Sequence, residues 1–180
     1  MKNLSVILIC IIIELFAVSC NKQNQVRKEL RKALGKTISL GMYDQVRCGD
    51  ELIPFKKFRK SYDYLYLVFL EDNCKPCIPK YIEWHEQMNK MDKQDNFTVL
   101  FIIQGLKYEY FIDEVKSVKD IDDDYFSVMD LHYAFFTENS KISQWILNKP
   151  ILIDAENKIL MVGAPFDSNE MKQMFYNTIQ

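Results

Sequence analysis

Residues 64–77 read Tyr-Leu-Tyr-Leu-Val-Phe-Leu-Glu-Asp-Asn-Cys-Lys-Pro-Cys, seven apolar residues running through a short polar step into a close pair of cysteines. The apolar run, rich in aromatic and branched side chains, predicts a strand covered on both faces. After Cys77, the residues Ile78, Tyr81, Ile82, His85 and Met88 recur at helical spacing, with Lys80, Glu83, Glu86 and Lys90 largely on the other side. A second buried strand follows at Phe97 to Ile103 (Phe-Thr-Val-Leu-Phe-Ile-Ile). The three pieces predict a βαβ unit with parallel strands and a right-handed crossover. Cys74 and Cys77 then stand where the first strand meets its helix, a place suited to forming and breaking a disulfide.

Further along, Tyr108 to Val118 predicts a short helix, Asp120 to Asp124 an acidic loop, and Phe126 to Met129 a short strand. The acidic run lacks the glycine and terminal glutamate of an EF-hand loop, so it reads as solvated. Pro150 opens Ile151-Leu152-Ile153-Asp154, and Ile159-Leu160-Met161-Val162 follows a short polar turn, which predicts an antiparallel hairpin. Met171, Met174, Phe175 and Thr178 place one face of a closing helix against it. Upstream, Thr37 to Leu40 with Tyr43 to Val46 suggests an accessory hairpin.

The first 20 residues have the form of an export signal. Lys2 supplies a positive start and Leu4 to Val18 an apolar core, interrupted by Ser5, Cys10 and Glu14. At about 15 residues this core is shorter than the roughly 20 that a membrane-spanning helix needs. It ends in Ala17-Val18-Ser19-Cys20, which resembles the bacterial lipobox, with Cys20 as the residue that is lipidated and becomes the mature N-terminus. The expected organisation is a signal peptide over 1–19, a tether over 20–34 and one domain over 35–180. Asn21 to Lys32 is polar without a sustained apolar face, which is why it reads as tether. A chain of 180 residues with a net charge of −2 and scattered Lys and Arg gives no reason to expect nucleic acid.

The order of elements, with Cys-X-X-Cys at the strand-to-helix junction, then a proline-led hairpin and a last helix, resembles the thioredoxin fold over roughly Gly35 to Gln180. The long stretch between Cys77 and Pro150, the extra N-terminal strands and the anchor are similar to the extracytoplasmic TlpA/ResA-like thioredoxins. That resemblance implies an α/β, three-layer domain: a central mixed sheet flanked by helices, with N-terminal accessory strands and a central insertion supplied by Phe111 to Met129. It implies a thiol-disulfide oxidoreductase in which Cys74 is the nucleophile and Cys77 the resolving cysteine. Pro150 matches the family's cis-proline, facing the disulfide. The expected partners are envelope proteins carrying disulfides or thiols, and an upstream electron donor or acceptor. The domain is expected to be a membrane-anchored monomer facing the periplasm, without cofactor or metal.

Physical chemistry assigns the same roles to the pair. A thiolate at Cys74 would be favoured by the helix N-terminus and by Lys75, while Pro76 fits the first helical turn without losing a hydrogen bond. Lys149 adds a cation before Pro150, and its backbone is suited to docking a substrate as an added strand. Three positions depart from the family. Asn73 stands where Trp usually precedes the first cysteine, Lys149 where a small or β-branched residue is common, and Val68 where thioredoxins bury an acid. Glu71 and Glu83 are the candidates to replace that acid as proton acceptor. A zinc site would have to add His85, His132 or Cys48 to the pair, and none has the spacing of a zinc knuckle. Cys48 reads as a packed thiol. The alternative to an enzyme is a binding or structural module that keeps the fold and holds a partner on its surface.

Overall fold

Seven consecutive apolar residues leave a strand no face for water, and Tyr64–Glu71 is buried along its whole length except at its two partly exposed end residues. The computed structural model describes residues 24–71, 74–91, 95–121 and 124–179. The export signal with Cys20, and Asn73, lie outside the described residues. In chain order the elements are helix α1 (24–33), strands β1 (Gln45–Cys48) and β2 (Glu51–Pro54), and helix α2 (Phe55–Lys60). Then come β3 (Tyr64–Glu71), α3 (Cys77–Asn89), β4 (Phe97–Gln104), α4 (Tyr108–Val118) and β5 (Phe126–Met129). The chain closes with α5 (Ala134–Glu138), α6 (Gln144–Leu147), β6 (Ile151–Ile153), β7 (Ile159–Val162) and α7 (Asn169–Ile179).

The strands form one mixed sheet in the order β2-β1-β5-β4-β3-β6-β7. β3 pairs in parallel with β4 from Tyr64↔Phe97 to Glu71↔Gln104, and β4 in parallel with β5. β6 runs antiparallel to β3 and β7 antiparallel to β6, as the two apolar runs around residues 154–158 require. Side-chain alternation along β3 divides the core into two. Tyr66, Val68 and Leu70 pack with α3, α4 and Phe175 of α7, whereas Leu65, Leu67 and Phe69 pack with the N-terminal segment, α2, α5 and α6. The result is the predicted three layers, with helix α4 and strand β5 as the central addition.

Two expectations about the N-terminal part need correction. The accessory hairpin is β1–β2, paired from Gln45↔Pro54 to Cys48↔Glu51 around Gly49 at φ 56°, a conformation that glycine adopts without steric cost. Thr37 makes an isolated bridge to Lys158 instead, and Ile38 and Leu40 face the core. The stretch read as tether is helical from residue 24, and it docks at its end, with Ala33 buried and Leu30 packed against the second cluster. Two small apolar contacts at the end of a polar helix produce no sustained stripe, so the periodicity is silent there.

Candidate active site

The chain leaves β3 at Glu71 and enters α3 at Cys77, and the turn between carries the dithiol. Lys75 and Pro76 are exposed. Pro76 is the last residue before the helix, at φ −77° and ψ −10°, a φ its ring already favours. The Cys77 amide donates to the Cys74 carbonyl at 2.7 Å and closes the turn. The two sulfurs are bonded, with Cα atoms 5.2 Å apart. Cys74 is partly exposed whereas Cys77 is 8% exposed, so the sulfur of Cys74 is the one a partner reaches first. No acidic residue lies in the first turn of α3, leaving the positive end of the helix dipole uncompensated beside the pair.

Cys77 is held from beneath by the strand. The Glu71 amide donates to Cys77 Sγ at 3.3 Å. Two residues back along β3, the Phe69 carbonyl accepts from Lys80 Nζ at 3.2 Å. Both backbone groups lie beyond the last β3–β6 pair, Leu67↔Ile151, so α3 side chains fill the strand edge that β6 leaves open. Helical spacing places Lys80 on the polar side of α3, but it is only partly exposed. Burial, and then the nearby Lys149, hold its amine below the ordinary lysine range, with Asp167 acting in the opposite sense. Asp167 is itself fixed by accepting from the Ala164 amide at 2.9 Å. Lys80 is the functional candidate that the sequence pattern missed.

The expected proton acceptors fare differently. Val68 is fully buried among apolar side chains, so the acid of typical thioredoxins has no counterpart at that position. Glu83 is exposed. Glu71 contributes its amide to Cys77 and is itself partly exposed. Pro150 is buried at the start of β6, and its carbonyl accepts from Gly163 at 2.8 Å. The cis-proline expectation is corrected, since no peptide bond among the described residues is cis. Trans is the lower-energy isomer of an X-Pro bond by about 0.5–1 kcal/mol. Lys149, exposed just before it, finishes the turn of α6 by donating its amide to Ile146 at 2.9 Å.

Because β3, β4 and β5 are parallel, the loops after them gather at one end of the sheet. There the dithiol turn is joined by Leu106 (77% exposed), Leu131 (50%) and Tyr133 (44%). Tyr133 has a left-handed backbone, φ 53°, ahead of α5, whose first amides are received by the buried Asp130 carboxylate: Ala134 at 2.8 Å and Phe135 at 3.2 Å. The zinc candidates do not converge. His85 is buried between rings, stacked on Phe101 at 5.7 Å and edge-on to Tyr125 at 4.7 Å. His132 is exposed in the loop after β5, and Cys48 donates to the Asp124 carbonyl at 3.5 Å. Among the described residues no group of three or more His, Cys, Asp or Glu is placed to hold a metal ion.

The sequence matches no protein-family model, and a search of curated proteins finds no match. Solved structures do resemble the chain. The C-terminal domain of a protein assigned as a thiol-disulfide oxidoreductase from Bacteroides thetaiotaomicron superposes with a TM-score of 0.54 at 16% identity, covering 81% of this chain and 95% of that one. A thiol-disulfide oxidoreductase from Bacteroides fragilis gives a TM-score of 0.50 at 19% identity, covering 72% and 90%. A mutant tryparedoxin-I gives 0.50 at 17%, covering 76% and 90%. At these identities the likeness speaks for architecture, and together with the sheet order and the Cys74–Cys77 turn it establishes that this chain has the thioredoxin-like fold.

Proposed function

We propose that the protein is a thiol-disulfide oxidoreductase of the cell envelope, exchanging electrons with disulfides or thiols of other proteins through Cys74 and Cys77. The observation that carries the proposal is a reachable sulfur bonded to a buried one at the start of a 13-residue helix that follows a parallel strand. In the reducing direction the Cys74 thiolate attacks a substrate disulfide, and the released substrate sulfur takes a proton. Cys77 then loses its proton and attacks Cys74, which releases the second substrate sulfur. Two electrons have passed to the substrate and the pair is again a disulfide. The helix dipole and Lys75 favour the thiolate at Cys74, and Pro76 fixes the turn.

The exposed Leu106, Leu131 and Tyr133 around the dithiol suit a polypeptide partner. Of the backbone before β6, the Lys149 amide and the Pro150 carbonyl are engaged within the chain, so docking of an extended segment there would use the exposed Lys149 side chain and its carbonyl. The leader ending at Cys20 supports export and attachment by a lipid, so the domain would meet envelope proteins and an upstream electron donor or acceptor, acting as a monomer. The full chain in detergent, with dithiothreitol as electron source, is expected to accelerate reduction of a model protein disulfide. Cys74→Ser should lower the rate to that of dithiothreitol alone, and Cys77→Ser should accumulate mixed disulfides with envelope proteins. Undiminished turnover in Cys74→Ser would refute the mechanism.

A further inference from the structure

Resolution of the mixed disulfide requires Cys77 to lose a proton in a place where water is scarce, because its side chain is 8% exposed. The buried acid that could receive that proton is replaced by Val68, and Glu83 faces solvent. What stands near the sulfur instead is an amine. Cys77 and Lys80 are three residues apart on α3 and therefore share a face. Their end groups meet two backbone groups of β3 that are two residues apart, Glu71 N–H and Phe69 C=O. Residues two apart point to the same edge of a strand, so the sulfur and the amine are held on neighbouring backbone groups along one edge of β3.

We propose that Lys80 is the proton acceptor for Cys77 in the resolving step. This rests on the redox reading given above. In the step the Cys77 S–H proton moves to the neutral Lys80 amine, directly or through one water. The resulting thiolate attacks Cys74 Sγ, the Cys74–Cys77 bond forms, and the Cys74–substrate bond breaks. The substrate leaves as a thiolate and takes the proton back from the Lys80 ammonium, so protons and electrons balance within one turnover.

The surroundings suit an amine that both gains and loses its proton. Removal from water and Lys149, from the α6–β6 loop, favour the neutral form, and Asp167, from the β7–α7 loop, favours the ammonium. Cys77 and Lys80 reach the same edge of β3 from one face of α3, bonded to the Glu71 amide and the Phe69 carbonyl, and the charged side chain on that stretch of β3, Glu71, is partly exposed.

Two measurements on the full chain test the assignment. In a Cys74→Ser background, the thiolate absorbance of Cys77 followed against pH should appear at higher pH once Lys80→Met is added. In single turnover from the reduced protein, release of the second substrate thiol should slow by roughly 10- to 100-fold in Lys80→Met, at the low end of what a positioned proton-transfer group supplies. Lys80→Gln keeps a donor for the Phe69 carbonyl but cannot take a proton, and it should be equally slow. An unmoved Cys77 titration, or a wild-type release rate in Lys80→Gln, would overturn the proposal. The titration needs no substrate, so loss of all disulfide turnover would defeat the redox reading while the titration still decides the role of Lys80.

Discussion

Lys80 also leaves a mark on stability that is separate from any reaction. Its amine titrates below the ordinary lysine value because of burial and Lys149. Between that lowered value and the roughly 10.4 of an unfolded lysine, the unfolded chain binds more protons at this position than the folded one. Folding stability from this group therefore rises with pH across that window, and the cost of the buried ammonium is felt in full below it. Urea unfolding of oxidised wild type and Lys80→Met at a series of pH values should show the wild type gaining on the variant as pH is raised. Parallel curves would mean that the amine is fully solvated. Local sequence pattern carries no sign of this environment. Helical spacing places Lys80 beside Glu83 on the polar side of α3, and what encloses it is a meeting of the loops that carry Lys149 and Asp167. The cysteines were legible because their spacing is local, whereas the state of the proton acceptor is set by tertiary contact.

Short elements in this fold depend on single residues more than on propensity. α5 has five residues and is entered through the left-handed Tyr133, yet Asp130 receives two of its amides while being 1% exposed. Asp130→Ala leaves both donors without that acceptor, with an expected cost of about 2–3 kcal/mol in chemical denaturation. Asp130→Asn retains one carbonyl oxygen and should lose less. A loss below about 0.5 kcal/mol for Ala would show that the cap is not needed. The same dependence explains which elements the sequence disclosed. β3, β4, α3 and α4 carry long apolar runs or a clear helical stripe, and their predicted bounds agree with the structure to within about a residue or two. β1 and β2 are four-residue strands, with Leu52 51% exposed, and offer no clean alternation. α5 and α6, of five and four residues, are too short for a helical period to develop.

At the scale of the molecule, the disulfide closes a loop between residues three apart in sequence, set against two apolar clusters that span both faces of the sheet. Chain-entropy arguments assign so small a loop about 2 kcal/mol at most. Reduction should therefore lower unfolding free energy by no more than about that amount while leaving the fold intact, as denaturant titrations of the oxidised and reduced protein would show. Unfolding upon reduction would mean that the pair is a structural staple, in line with a binding module. The N-terminal segment is fastened elsewhere. Gly35 donates to the Ile159 carbonyl, Ile159 donates to Lys36, Ile38 donates to Asn157, and Arg59 of α2 bonds Asn157 and Asp154. The early part of the domain thus finds its partners more than 90 positions later in the chain. A nascent polypeptide emerging N-terminus first can make the local bonds of Lys36 to Ala33 and of Arg59 to Tyr62, but the bonds that fasten this segment to the β6–β7 turn wait until that turn is out. Native docking of this segment is accordingly a late event, completed after synthesis or translocation has delivered the last hairpin, and its contact order favours slow closure over early collapse.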